Sequence, residues 1–246
     1  MMDIRYREEY VIRSQEVDVA KRATPMAILQ LMQEASMGSA QQLGVSVREL
    51  QPLNLAWVLL RKSVTISSAP LMGDKVTLIT YPSHFDRFLA YRDYKMYDQS
   101  GELLAYASST WTLMDMVKRK ISRIPQSLLE LKVSEDETLL ERPPSKLTLS
   151  DAVINQEDVE VKLYDLDWNG HVNNLKFVRY ILESLPVEYH SKTLVNLQFH
   201  IKAEAFLQDQ ISVQNATIEE SKNHVSHRLT TDGGSKMIVL AQTQWK

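Results

Sequence analysis

The chain has 246 residues, 44% hydrophobic and 24% charged, with a formal net charge of -3 at pH 7 and no cysteine. Length and composition exclude disordered, collagen-like and disulfide-stapled classes and leave room for two domains with cores of their own. The slight acidity argues against nucleic acid as a partner, and the missing cysteine removes thiolate zinc sites and thiol nucleophiles.

In chain order, the first twenty residues are charged throughout and lack the apolar stretch of a secretory leader. No apolar run reaches membrane-spanning length, so a soluble cytoplasmic protein is expected. From about Thr24 to Leu43, Met26, Leu29, Met32, Ala35 and Met37 recur at helical period. GVSVRELQPLN follows and reads as an insertion. Strand-like VTLITYPS comes after Gly73-Asp74, and Asp98-Gln-Ser-Gly101 separates FLAYRDYKMY from ELLAYASSTWTLM as a hairpin turn. Residues 125–149 read as a linker: Pro125 can open a short helix, and Pro143-Pro144 breaks regular structure. A second helix is expected from about Asn173 to Leu185, with Leu175, Val178 and Leu182 on one face. ISVQNATI follows Gln208-Asp209, and Asp232-Gly233-Gly234 separates HVSHRLTT from SKMIVLAQTQW. His224 and His227 read as residues of a solvated strand.

The halves match each other. Asp18 aligns with Asp167, Thr24-Pro25 with Asn173-Asn174, and Glu34 with Glu183. Each half runs strand, long helix, then four strands, and each closes on a tryptophan, Trp111 or Trp245. The expectation is an α+β chain in which an antiparallel sheet wraps a mostly buried helix, twice: residues 1–124, the linker 125–149, and residues 150–246.

The densest polar cluster is Asp165-Leu-Asp167-Trp-Asn169-Gly-His171-Val-Asn173-Asn174, at the mouth of the second helix. A helix N-terminus offers unpaired N–H groups and partial positive charge, which suits an anion or a developing oxyanion. Asn173 is a natural N-cap. Opposite Asp167, Asn169 and His171 the first half has Asp18, Ala20 and Arg22. The shared aspartate suggests a loop role in both copies, and the unshared amide and imidazole suggest that one copy does chemistry. His171 has no partners at metal-ligand spacing. Glu204 is the second candidate: along a strand it shares a face with His200 and Lys202, and its counterpart in the first half is Ala69.

The segment from Leu163 to Phe177 resembles the D-x-N-x-H-V-N-N signature of acyl-acyl-carrier-protein (acyl-ACP) thioesterases. Ile12–Val17, Leu31-Met-Gln-Glu34-Ala, Ala56-Trp-Val58, Trp111–Asp115 and Arg119–Pro125 resemble other segments of the same family. The resemblance covers nearly the whole chain. It implies tandem hotdog domains, hydrolysis of the thioester between a fatty acyl chain and the phosphopantetheine arm of acyl carrier protein, and no cofactor or metal. It implies catalysis in the C-terminal half, with Asp167, Asn169, His171 and Glu204 as the functional residues; Asn173 and Asn174, at the helix mouth, are the accompanying candidates for contact with substrate. Plant members carry a cysteine beside the acid; here the position is Ala205, so a cysteine mechanism is impossible. Glu204 then acts as general base for water, with a covalent anhydride as the lesser variant.

An acyl chain needs apolar surroundings, and the N-terminal half offers Met26, Leu29, Met32, Met37, Trp57, Leu59 and Trp111. Acyl carrier protein is acidic, and Lys118, Arg119, Lys120 and Arg123 form the densest basic cluster; on a strand, Lys118 and Lys120 would share a face. A monomer or a homodimer is compatible with this reading. The competing functions are an acyl-CoA thioesterase, a hotdog hydroxyacyl dehydratase and a non-catalytic acyl-binding protein.

Overall fold

A computed structural model describes residues 4–130, 140–218 and 222–246. The chain divides into two compact units, Met1–Pro143 and Pro144–Lys246. The first contains β1 (Tyr6–Val11), α1 (Pro25–Gln42), α2 (Val47–Leu50), β2 (Leu55–Ile66), β3 (Lys75–Phe85), β4 (Leu89–Tyr97), β5 (Leu103–Asp115), β6 (Lys120–Ser122) and α3 (Gln126–Leu129). The second contains β7 (Val153–Glu160), α4 (Asn174–Glu183), β8 (Leu194–Ile201), β9 (Gln210–Thr217), β10 (His224–Thr231) and β11 (Lys236–Trp245).

α1 has a complete set of start and stop signals. Thr24 Oγ1 accepts the Ala27 N–H at 3.1 Å, and Pro25 occupies the first turn, where its missing N–H costs nothing. At the other end Gly44 takes a φ of 67°, its N–H donates to Gln41 O, and the Val45 N–H donates to Ala40 O. That pair of bonds is a Schellman stop, and the left-handed residue it requires is cheapest as glycine. The buried face carries Ala27, Ile28, Leu29, Leu31, Met32 and Ala35. Met37, grouped in the sequence with the apolar face, is instead exposed. Gly38 lets β1 come close: a Cβ there would lie 2.4 Å from the Tyr6 ring.

The strand order in the first unit is β1-β3-β4-β5-β2, with β6 on β5. In the second it is β7-β9-β10-β11-β8, the same order when each half is counted from its own start. All of these neighbours are antiparallel. α1 lies against β3 and β1, and α4 against β9. Each unit is thus a helix laid on a five-stranded antiparallel sheet, the hotdog arrangement, and the fold class is α+β as expected.

The insertion after α1 folds into α2, capped by Ser46, and Leu50 reaches a cluster of Ala90, Leu113, Ile124 and Leu128. Part of the stretch read as linker joins the same cluster, because α3 delivers Leu128 to it. Leu140 N–H donates to Asp93 Oδ2 at 2.9 Å, and the Arg142 guanidinium stacks 4.0 Å over the Tyr91 ring. Further on, Thr148 O and the Ser150 N–H bond to Gln242 and Ser226 of the second unit. No helix among the described residues is long and apolar enough to cross a membrane.

One histidine of β10 departs from the solvated-strand reading, and the other, His224, stays partly exposed. His227 is fully buried, between Asn215 Oδ1 at 2.6 Å and Thr243 Oγ1 at 2.8 Å. An amide oxygen only accepts, so Nδ1 carries the proton and Nε2 accepts from Thr243. Asn215 in turn donates to Asn155 Oδ1 at 2.8 Å, and Asn155 donates to Ser184 O at the end of α4. The pair at i, i+3 falls on opposite faces as the strand period requires, and the inward member is a core residue of a satisfied network.

Candidate active site

The loops leading into α1 and α4 are built alike. In the first, Asp18 Oδ1 accepts the Ala20 N–H at 2.8 Å and the Arg22 N–H at 3.0 Å, while the Asp18 N–H donates to Arg22 O. In the second, Asp167 Oδ1 accepts the Asn169 N–H at 2.8 Å and the His171 N–H at 3.2 Å, while the Asp167 N–H donates to His171 O. Both turns need one left-handed residue, Lys21 at φ 61° and Gly170 at φ 76°. Glycine takes that conformation without strain. The carboxylate at this position is a staple for the loop backbone in either copy.

Two further bonds recur. Thr24 N–H donates to Glu16 O, and Asn173 N–H donates to Asp165 O. Ala23 N–H donates to Pro70 O, and Val172 N–H donates to Ala205 O at 2.9 Å. The last bond ties the His171 loop to the segment that carries Glu204. His171 Nδ1 and Glu204 Oε1 are 3.6 Å apart, within ion-pair range and longer than a hydrogen bond, with both side chains partly exposed. Glu204 lies beyond the end of β8 rather than on the strand, and in β8 itself Phe199 and His200 are both buried. The face shared by His200, Lys202 and Glu204 therefore does not form, because regular pairing stops at Ile201.

Asn173 caps α4 by accepting the Leu175 N–H at 3.0 Å, and Asn173 O takes the Lys176 N–H. The Asn174 N–H is the first-turn donor that the cap leaves over. Asn169 is exposed in the loop, tied to the staple through its backbone N–H. The base of the loop is held by Asp165, which accepts the Lys162 N–H at 2.9 Å and pairs with Lys176 Nζ at 3.3 Å. Burial opposes its charge, but those donors and the neighbouring Tyr180 hydroxyl outweigh it and hold the carboxyl below its ordinary range. Sequence reasoning missed Phe206, whose ring meets the His171 imidazole edge-on at 5.3 Å. It also missed Lys236, whose ammonium donates to Glu204 O at 3.2 Å. The adjacency of Phe206 to Glu204 was the available signal for the first; nothing in the sequence pointed to the second.

The remaining expected residues lie in the first unit. Met32 is in the core of α1, Trp111 Nε1 donates to Ser109 Oγ at 2.7 Å, and Trp57 Nε1 donates to Val45 O at 3.0 Å. Both indoles pack on the Leu50–Leu113–Leu128 cluster. The basic cluster is exposed, but Lys118 and Arg119 belong to a four-residue turn after β5 and only Lys120 is on a strand. Lys118 and Lys120 therefore do not share a strand face. Lys118 is paired with Asp115 at 3.2 Å.

Two hotdog units with one stapled loop each, and a polar constellation in the second alone, define a duplicated hotdog protein with a single specialised helix mouth. Residues 3–131 match the family described as acyl-ACP thioesterase N-terminal domain, and residues 149–246 the acyl-ACP thioesterase C-terminal domain. The chain belongs to the acyl-ACP thioesterase family.

It is 27% identical to a chloroplastic palmitoyl-acyl carrier protein thioesterase of Gossypium hirsutum over 98% of its length and 63% of the relative's. It is 28% identical to oleoyl-acyl carrier protein thioesterase 2 of Arabidopsis thaliana over 94% of its length and 67% of the relative's. The chain thus spans a little under two thirds of the cotton protein. Its fold is that of an acyl-ACP thioesterase from Bacteroides thetaiotaomicron, with a TM-score of 0.89 at 22% identity, covering 99% of this chain and 98% of that one. It is also that of the 12:0-ACP thioesterase from Umbellularia californica, with a TM-score of 0.84 at 23% identity, covering 100% and 98%.

Proposed function

We propose that the protein hydrolyses fatty acyl-ACP to free fatty acid and carrier protein, with the chemistry in the second unit and the acyl chain received by the first. The observation that carries this reading is the asymmetry of the repeat. The two loops share their staple down to individual N–H bonds, yet only one presents Asn169, His171 and a facing Glu204.

In this mechanism Glu204 takes a proton from water as the oxygen attacks the thioester carbonyl. The carbonyl oxygen becomes an oxyanion at the α4 N-terminus, within reach of the Asn174 N–H, and Asn169 orients the substrate. Collapse breaks the carbon–sulfur bond, and the proton returns through His171 to the departing phosphopantetheine thiolate. Asp167 acts on the backbone that carries Asn169 and His171 and is a positioning residue. With alanine at position 205 and no thiol in the chain, water is the nucleophile.

The carrier is proposed to dock on the exposed turn with Lys118, Arg119, Lys120 and Arg123. Hydrolysis of matched acyl-ACP and acyl-CoA, followed by release of free thiol, tests the reading. Faster turnover of acyl-ACP is expected. Equal or faster turnover of acyl-CoA replaces the carrier assignment, an enoyl product makes the protein a dehydratase, and tight binding without turnover makes it an acyl-binding protein.

A further inference from the structure

The helix-facing side of the first unit's sheet carries two cations where an apolar surface was expected. β2 is regular as far as Leu59, which pairs with Trp111, and then shifts register before Arg61. A uniform strand would turn Arg61 inward. The shift re-phases the strand, so Lys62 is buried at 4% exposure while Arg61 stays partly exposed. Lys62 is opposite Ser109 on β5, and Ser109 is opposite Arg92 on β4. Directly opposed residues lie about 5 Å apart at Cβ, so the two basic side chains flank one serine on one face.

That face points at α1. Tyr94 OH meets Ser36 Oγ of the helix at 2.7 Å, and Lys62 Nζ sits 4.4 Å from the centre of the Tyr94 ring. Arg92 donates to Thr80 Oγ1 at 3.2 Å. Among the described residues no carboxylate pairs with Lys62 or Arg92. An unpaired buried cation is costly to a fold. Burial pushes both Lys62 and Arg92 down from their ordinary values; Tyr94 opposes the shift at each, and Arg92 adds a smaller lowering at Lys62. On either side along the sheet the face is apolar, with Ala90 opposite Trp111 and Met96 opposite Ala105.

We propose that Lys62, with Arg92 and Tyr94, is a specificity site for an oxygen substituent on the acyl chain, a hydroxyl or a carboxylate remote from the thioester. The inference rests on the reading that the first unit receives the acyl chain, and it names the class of chain. No carboxylate answers the Lys62 charge among the described residues and an oxygen acceptor on the chain would, beside Tyr94 and one strand from Arg92, while the flanking apolar residues suit the methylenes on either side. A site built to hydrogen-bond a substrate oxygen rejects the analogue that lacks it, because the donors are then left unpaired.

The test compares unsubstituted, ω-hydroxy and ω-carboxy acyl-ACP across a chain-length series, with wild type, Lys62→Met and Tyr94→Phe. Thermal unfolding checks that the variants fold, as Lys62→Met is expected to do. Hydrolysis is read as kcat/KM, and affinity is read with non-cleavable amide-linked chains. At one length or more, the wild type should favour an oxygenated chain about tenfold or better. Lys62→Met should erase that preference, and Tyr94→Phe should reduce it. The hydroxyl and carboxyl arms identify the group. Wild type without an oxygen preference overturns the proposal, as does Lys62→Met that only admits longer unsubstituted chains. Lys62-dependent affinity for the oxygenated chain without hydrolysis would instead sink the hydrolase reading and leave this one standing. Hydrolysis of plain chains alone would do the reverse.

Discussion

Asp18 and Asp167 make the same backbone bonds, and only Asp167 stands beside the proposed catalytic residues. Replacing either by alanine removes an acceptor for two N–H groups and should cost about 1–2 kcal/mol of stability. Hydrolysis should fall in Asp167→Ala, because Asn169 and His171 lose their placement, and remain near wild type in Asp18→Ala. Equal losses of activity in the two variants, measured beside urea unfolding, would place the aspartates outside this account.

His171→Ala should slow turnover on the order of 10²-fold by removing the acid for the leaving thiolate; unchanged turnover would return His171 to a structural role. His227 gives a separate, pH-linked prediction. Burial depresses it to about 3 from 6.5, so the unfolded chain binds its proton first. Its contribution is complete above about pH 6.5 and is lost as pH falls toward 3, at up to about 1.4 kcal/mol per pH unit. Urea unfolding of wild type should steepen with acidity below pH 6.5, and His227→Gln should flatten that slope. Identical slopes for the two proteins would contradict the linkage.

At the scale of elements, end signals were the most legible part of the sequence. Thr24, Pro25 and Asn173 mark helix starts through local chemistry that tertiary context did not override. α4 spans ten residues, so its cap carries a larger share of its stability than the cap of α1 does. Asn173→Ala should cost about 1 kcal/mol or more in equilibrium unfolding and should lower turnover by loosening the helix mouth. A silent Asn173→Ala variant would show that the first turn is held from elsewhere.

Strand phase was legible only where pairing is regular. The period of two failed at Lys118–Lys120, where a turn intervenes. It failed again at Glu204, where pairing has already ended, and it gives no guide at Lys62, where a register shift turns the face over. Such shifts depend on partner strands distant in sequence, so a local window does not reveal them.

Over the whole chain, the duplication was readable because both stapled loops keep the aspartate that their backbone needs. The proposed division of labour rests on positions where the copies differ: Asn169 against Ala20, His171 against Arg22, Glu204 against Ala69. The polar interior of the first unit was not readable, since Arg61 and Lys62 look interchangeable until pairing is known. The proposed docking of an acidic carrier belongs to this scale. Lys120→Glu combined with Arg123→Glu should raise KM for acyl-ACP at low salt, converge toward wild type at high salt, and leave kcat unchanged. A salt-independent effect, or none, would move the landing site elsewhere.

The central claim is that a carboxylate in the second unit activates water. It is tested most directly by single-turnover hydrolysis of a saturated acyl-ACP, comparing wild type with Glu204→Gln of matched thermal stability. The account predicts release of free fatty acid by wild type and a loss of about 10²–10⁴-fold in the variant. A Glu204→Gln protein that turns over within a few-fold of wild type would contradict it.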